Sequence, residues 1–164
     1  GQLRDLSGKT ITFVSDGNNV DNSISIIAAY IEINFNLACP DGYEQPQELL
    51  DILEPIFKST NSKHQRYSCA KDAVKSADII YTDVWASMGQ ESEQAERAAI
   101  FMPFQVNEEL MKQAPETCLV THCLPAHRGE EISAGIMESD RNICFDEAEN
   151  RLHAQKAVMA YLIK

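Results

Sequence analysis

The sequence predicts an α/β domain with a parallel sheet and helices on both faces, and three observations carry that prediction. Short apolar runs alternate with segments of helical spacing along the chain, the pattern of strands joined by helical crossovers. Three of those runs break abruptly into polar residues: Thr10 to Val14 into Ser15-Asp16-Gly17-Asn18-Asn19, Ala77 to Thr82 into Asp83-Val84-Trp85-Ala86-Ser87-Met88-Gly89-Gln90, and Cys118 to Val120 into His122-Cys123-Leu124-Pro125. The 164 residues, 44% of them hydrophobic, suffice for one domain with a real core and are too few for two ordinary ones. If the three strands lie parallel in one sheet, their polar ends meet in one crevice at its carboxyl edge, where α/β domains present ligand-binding side chains.

The elements follow in order. Gly1 to Lys9 is polar and reads as a connection, with Asp5 to Lys9 turning into a first strand, Thr10 to Ser15, that is β-branched and apolar enough to be buried on both faces. After the Asp16 to Asn19 turn, Asn22 or Ser23 is the expected cap of a helix whose apolar positions are Ile24, Ile27, Ala28 and Ile31. A second strand near Phe35 to Cys39 stops at Pro40. Glu48 to Lys58 has helical spacing, with Pro55 expected to shorten or kink it. A brief extended piece around Arg66 to Ser68 precedes a short helix, Ala70 to Ser76, and then the strand that ends at Asp83. Glu91 to Ile100 is a further helix ended by Pro103, and Asn107 is a plausible cap for Glu108 to Gln113. After the strand at Thr117 comes a short apolar piece, Ile143-Cys144-Phe145, and then a last helix from about Glu149 to Ile163. That helix has two apolar faces, one of Ala154, Ala157, Val158, Tyr161 and Leu162 and one of Leu152, Met159 and Ile163. It is either deeply buried or docked on another domain or chain.

Composition excludes several classes. With 25 acidic and 14 basic residues the formal charge is −11, and there is no basic stripe, which argues against nucleic acid. No apolar run approaches membrane-spanning length and the first residues carry no signal-peptide pattern, so the expectation is a soluble, intracellular protein. Five widely spaced cysteines read as core thiols, and no pair has the C-x-x-C spacing of a structural zinc site.

The polar strand ends carry the candidate chemistry. Asp16-Gly17-Asn18-Asn19 has one glycine where a dinucleotide phosphate loop needs three, so NAD is not expected. An asparagine there can donate to a carboxylate or accept from an amine, or both can simply form the turn. Asp83 suits an ammonium group, and Ser87 with the backbone at Met88-Gly89 suits a carboxylate; the plain alternatives are a solvated acid and a helix cap. Adjacent residues on a strand point to opposite faces, so His122 is badly placed to activate Cys123, which reads as a ligand-lining or a core thiol. Arg151 near the start of the last helix opposes the helix dipole, so it pairs either with an anionic ligand or with Glu147 or another surface acid.

Together, Asp16-Gly17-Asn18-Asn19, Asp83 to Gly89 with its Ser-Met-Gly, His122-Cys123-Leu124-Pro125 and Glu149-Asn150-Arg151 closely resemble the carboxyl-terminal, ornithine-binding half of ornithine carbamoyltransferases. The resemblance runs from about Leu6 to Lys164. It implies a three-layer, Rossmann-like domain spanning residues 1–164, with the carbamoyl-phosphate-binding amino-terminal domain absent: the Ser-Thr-Arg-Thr-Arg and His-Pro-x-Gln motifs of that domain do not occur here. It implies L-ornithine held at its α-amino and carboxylate groups by Asn19, Asp83, Ser87 and Met88, with Cys123 and Leu124 lining the site of the reacting amine and carbamoyl group. Arg151 is directed at the carbamoyl oxygen, which leaves Asp83, Cys123 and Arg151 as the expected catalytic set, with no metal and no cofactor. It implies a cytoplasmic protein of arginine metabolism that meets carbamoyl phosphate through the missing domain, with that domain and further copies of the chain as partners, since whole enzymes of the family are trimers. Little or no turnover is expected of this chain alone. One departure is Glu32, where relatives usually place glycine, so an altered helix end is expected there. The rival reading is a non-catalytic amino-acid or polyamine-binding module, or an engineered folding unit, that retains the motifs.

Overall fold

A computed structural model describes residues 6–86 and 93–163. Five strands, β1 (Thr10–Val14), β2 (Asn34–Ala38), β3 (His64–Tyr67), β4 (Ile79–Thr82) and β5 (Leu119–His122), form one sheet in the order β3-β2-β1-β4-β5. Every pairing is parallel. The chain builds outward from β1 through β2 to β3, then returns to the other side of β1 for β4 and β5. The order therefore reverses between β1 and β4, where two crossovers leave in opposite directions and open a crevice at the carboxyl ends.

Helices cover both faces: α1 (Asn19–Tyr30), α2 (Gln47–Ser59), α3 (Ala70–Ala73), α4 (Gln94–Phe101), α5 (Glu108–Met111), α6 (Ala134–Met137) and α7 (Cys144–Leu162). Alternate strand residues point to opposite sides, which splits the core in two. Phe13, Phe35 and Leu37 pack with Ala28 and Ala29 of α1 and Leu53 and Phe57 of α2. Val14, Ala38, Ile80 and Val120 face the other way, against Ala70, Ala73, Leu110 and Ile136. With both faces covered the central strands must be apolar throughout, which is why their runs were visible in the sequence. No described helix is long and apolar enough to cross a membrane. All five cysteines are free; Cys39, Cys118 and Cys144 lie in the core as expected, Cys123 is half-buried and Cys69 is exposed.

Several expectations are corrected. The cap of α1 is Asn18, whose side-chain oxygen accepts from the N–H groups of Val20 and Asp21, so the helix starts four residues before Ser23. The apolar spacing reported the buried face of α1 but not its polar first turn. Pro55 does not end α2, which continues to Ser59 with Leu53 and Phe57 anchored in the core. The apolar piece at Ile143 to Phe145 is not separate: α7 begins at Cys144, whose N–H is held by the Asn142 side chain. The deeply buried alternative for the last helix is overturned, because every described residue from Glu149 onward is exposed, up to 82% for Tyr161.

The altered helix end expected at Glu32 is not found. Glu32 takes a left-handed φ of 63° directly after the α1 C-cap, and the N–H of Ile33 still reaches the carbonyl of Ala28 at 3.0 Å. The glycine-type ending is kept by a residue that pays a steric penalty of about 1 kcal/mol for it.

Candidate functional site

The crevice is built from three loops, and the first is shaped by Gly17. A Cβ added there would lie 2.5 Å from the backbone nitrogen of Gln45, so only glycine lets the loop after β1 close onto the 43–45 segment, where its N–H donates to the Tyr43 carbonyl at 2.8 Å. That closure sets Asn18. One end of its amide caps α1; the other donates to Asp83 across the crevice at 2.8 Å.

Asp83 is the junction of the three loops and is only 6% exposed. One carboxylate oxygen takes the Asn18 amide, and the other takes the Val84 N–H at 2.8 Å and the Cys123 thiol at 3.0 Å. Burial first, and then the Asp83 carboxylate that it donates to, push the Cys123 thiol well above its ordinary range. Cys123 is therefore a thiol that donates a hydrogen bond, not a thiolate nucleophile. Every partner Asp83 has among the described residues is a neutral donor, so a protonated amine arriving here meets a carboxylate with no competing cation.

Asp16, beside it, is the one that holds an arginine. Arg97 of α4 is almost fully buried, pairs with Asp16, donates to the Trp85 carbonyl, and lies over the rings of Tyr43 and Phe101 at 5.0 and 5.1 Å. It ties the β1 loop to the β4 loop from behind. Burial raises the Asp16 carboxyl above its ordinary value, while the Arg97 guanidinium works in the opposite direction.

The third loop is pinned by His122. The Leu124 N–H donates to Nδ1 at 2.8 Å, so the ring proton sits on Nε2, which faces Glu131 at 3.1 Å. Glu131, fully buried, also accepts from the His127 N–H. Both ring nitrogens are thus committed to shaping the loop, in keeping with the expectation that His122 does not activate Cys123.

Of the residues singled out from the sequence, Asp83 and Cys123 touch. Arg151 lines an open cleft of about 540 Å³ together with Cys123, Leu124, Phe145 and Ala148. It is exposed and has no ion pair among the described residues; the alternative pairing with Glu147 or another surface acid is not made, and Glu147 accepts from Tyr81 and Thr121 instead. Asn19 is exposed in the first turn of α1, beside but not on Asp83. Ser87 and Met88 lie outside the described residues. Arg97 and Glu131 were missed, each being one polar residue among many in the sequence, and the asparagine that donates to a carboxylate in the turn after β1 is Asn18 rather than the assigned Asn19; only the strand order brings these residues to the crevice. Among the described residues two groups have the make-up of cation ligands, Asp83-His122-Cys123 and His127-Glu130-Glu131, each with donor atoms within 4.8 Å of one another. In the first, a cation on the imidazole would have to displace the Leu124 or the Glu131 hydrogen bond.

Comparison with known proteins places this arrangement. Residues 7–162 match the family model described as "Aspartate/ornithine carbamoyltransferase, Asp/Orn binding domain". The chain is 47% identical to the ornithine carbamoyltransferase of Methanosphaera stadtmanae over 98% of its own length and 53% of that relative, and 48% identical to that of Thermococcus kodakarensis over 96% and 50%. The solved ornithine carbamoyltransferase of Pyrococcus furiosus superposes with a TM-score of 0.90 at 44% identity, over 94% of this chain and 50% of that one. The chain spans about half the length of the relatives it matches.

Proposed function

The chain belongs to the aspartate/ornithine carbamoyltransferase family, and from that premise we propose that it is the ornithine-binding half of an ornithine carbamoyltransferase, acting in the cytoplasm in arginine metabolism. The observation that carries the reading is Asp83: a buried carboxylate at the strand-order switch, oriented by Asn18 and Cys123, unpaired with any cation among the described residues, and bonded to the Cys123 that lines one cleft with Arg151.

In this reading the α-amino and carboxylate groups of L-ornithine are received by Asp83 with Asn19, Ser87 and Met88. Its side-chain amine lies near Cys123 and Leu124. The neutral amine attacks the carbamoyl carbon of carbamoyl phosphate, which is held by a second, amino-terminal domain. The carbon–nitrogen bond forms, the bond to the phosphate oxygen breaks, the amine gives up a proton, and citrulline and phosphate result. Arg151 faces the oxygen that becomes negative in the tetrahedral intermediate, and Asp83 and Cys123 orient the amine. By itself the chain turns over little or nothing, because it lacks the group that fixes the second substrate against the first.

The test is reconstitution. Mixing the pure chain with the separately folded amino-terminal half of a relative is expected to give citrulline from ornithine and carbamoyl phosphate, while each half alone gives almost none. Turnover by this chain alone near the rate of a whole enzyme, or none with both halves folded and associated, contradicts the reading.

A further inference from the structure

The loop that aims Asn18 at Asp83 rests on a group with no role in the chemistry above. Asp21 stands in the first turn of α1, where an acid ordinarily stays ionised and is favoured by the helix dipole. Here its side chain has no exposed surface, and neither carboxyl oxygen has a hydrogen-bond partner. Beside it is the amide of Gln45, also buried, whose oxygen is likewise unpartnered. The orientation of that amide follows from its other contact. The Ser25 hydroxyl donates to the Asn22 carbonyl at 2.9 Å, so its oxygen must accept from Gln45, at 3.0 Å, and the Gln45 amide nitrogen is the end turned toward it. Two acceptors are left with no donor between them, an arrangement costly in the interior.

A single proton satisfies both. We propose that Asp21 stays protonated through the neutral range, donates to the Gln45 side-chain oxygen, and in that form positions Asn18 against Asp83. The link to the site is direct, since the Asp21 N–H donates to the Asn18 oxygen at 3.0 Å while the Asn18 nitrogen donates to Asp83 at 2.8 Å. An ionised Asp21 would have to reach water and would carry the first turn of α1 with it.

The surroundings agree. Burial drives the Asp21 carboxyl well above the usual carboxylate range and the Asp16 carboxylate on the preceding loop adds to it; the Gln45 amide would oppose them only with its nitrogen turned to Asp21, and that nitrogen is bonded to Ser25. At the end of β2 lies the Cys39 thiol, itself pushed up to about 11 chiefly by burial. The cations of the neighbourhood are engaged elsewhere, Arg97 with Asp16 and Arg66 with Asp41 and Glu44. Asp21 is a positioning residue for Asp83, and the inference stands whether or not the site takes ornithine.

The sign of the pH dependence separates this from the ordinary reading. A carboxyl raised in the folded state holds its proton after the unfolded chain has lost its own near about pH 3.9, so its contribution to stability falls as pH rises, until the folded group also titrates. Asp21→Asn keeps a donor for Gln45 and removes the titration. Thermal unfolding of the ligand-free chain from pH 4 to 8 is expected to show the variant overtaking the parent by about 3 °C for each pH unit. A difference that is flat with pH, or one that grows in the parent's favour as pH rises, overturns the proposal, the latter because it is the signature of an ionised acid on the helix dipole. If the variant does not fold, carboxyl ¹³C spectra of the aspartate-labelled parent decide. One aspartate is expected to keep its acid-form shift at pH 7, and a set that has fully ionised by pH 6 contradicts it.

Discussion

The surroundings of Asp83 and of Arg151 are built differently. On one side Asp83 is buried and takes three hydrogen bonds, from three separate loops, each backed by a further contact: Asn18 by the α1 backbone, Cys123 by the His122-Glu131 pair, and the loop between them by Arg97. On the other side Arg151 stands on α7, which touches the sheet mainly near its start and leaves Leu152, Val158, Met159, Tyr161 and Leu162 in solvent. Buried hydrogen bonds of this kind fix side-chain positions; an exposed arginine on a half-uncovered helix is free to move through its rotamers. The hydrogen bonds around Asp83 are completed within the chain, whereas Arg151 and the apolar faces of α7 are left in solvent.

That contrast can be broken at its strongest point first. His122→Ala removes one member of a buried pair, leaves the Glu131 carboxylate with only the His127 N–H and the Leu124 N–H with no acceptor, and is expected to cost about 3 kcal/mol or more in chemical denaturation. A cost near zero would show that the loop holding Cys123 is fixed by something else. Asn18→Ala deletes a helix cap and one of the Asp83 bonds together, for about 2 kcal/mol in the same assay. At the other extreme, Leu162→Ser on α7 is expected to change stability by less than about 0.5 kcal/mol, since that side chain is 70% exposed. A large loss there would mean that α7 is covered in the isolated chain, and the contrast would fail.

The same division separates what the sequence disclosed from what it withheld. β1, β4 and β5 were readable because a strand buried on both faces must be continuously apolar, and the break at each carboxyl end marked Asp16, Asp83 and Cys123 by pattern alone. Their convergence depended on strand order, which no local pattern encodes; with β1 beside β4, the loops at Asn18 and Asp83 become neighbours across 65 positions of sequence. The choice between Asn18 and Asn19 as the residue that touches Asp83 was illegible for a related reason, since both are turn formers and only the start of α1 decides which one caps. Arg97 and Asp21 were hidden more deeply. An arginine among alanines and an aspartate in a first turn are ordinary surface residues by spacing, and their burial comes from Tyr43, Gln45 and the rest of the segment that closes over Gly17. In α7 the two apolar faces were correctly visible, and the structure removes the deeply buried explanation by leaving both faces bare.

The most direct test of the central claim is a calorimetric titration of the isolated chain with ornithine, with aspartate and putrescine as controls, repeated on Asp83→Asn and Arg151→Ala. Saturable binding of ornithine alone, abolished in Asp83→Asn and changed by less than about threefold in Arg151→Ala, is the expected result, because an exposed side chain with no fixed geometry contributes little to ground-state binding. Absence of binding by the folded parent chain, or equal loss in both variants, would contradict the account: the surroundings of Asp83 would then be no more preorganised than those of Arg151.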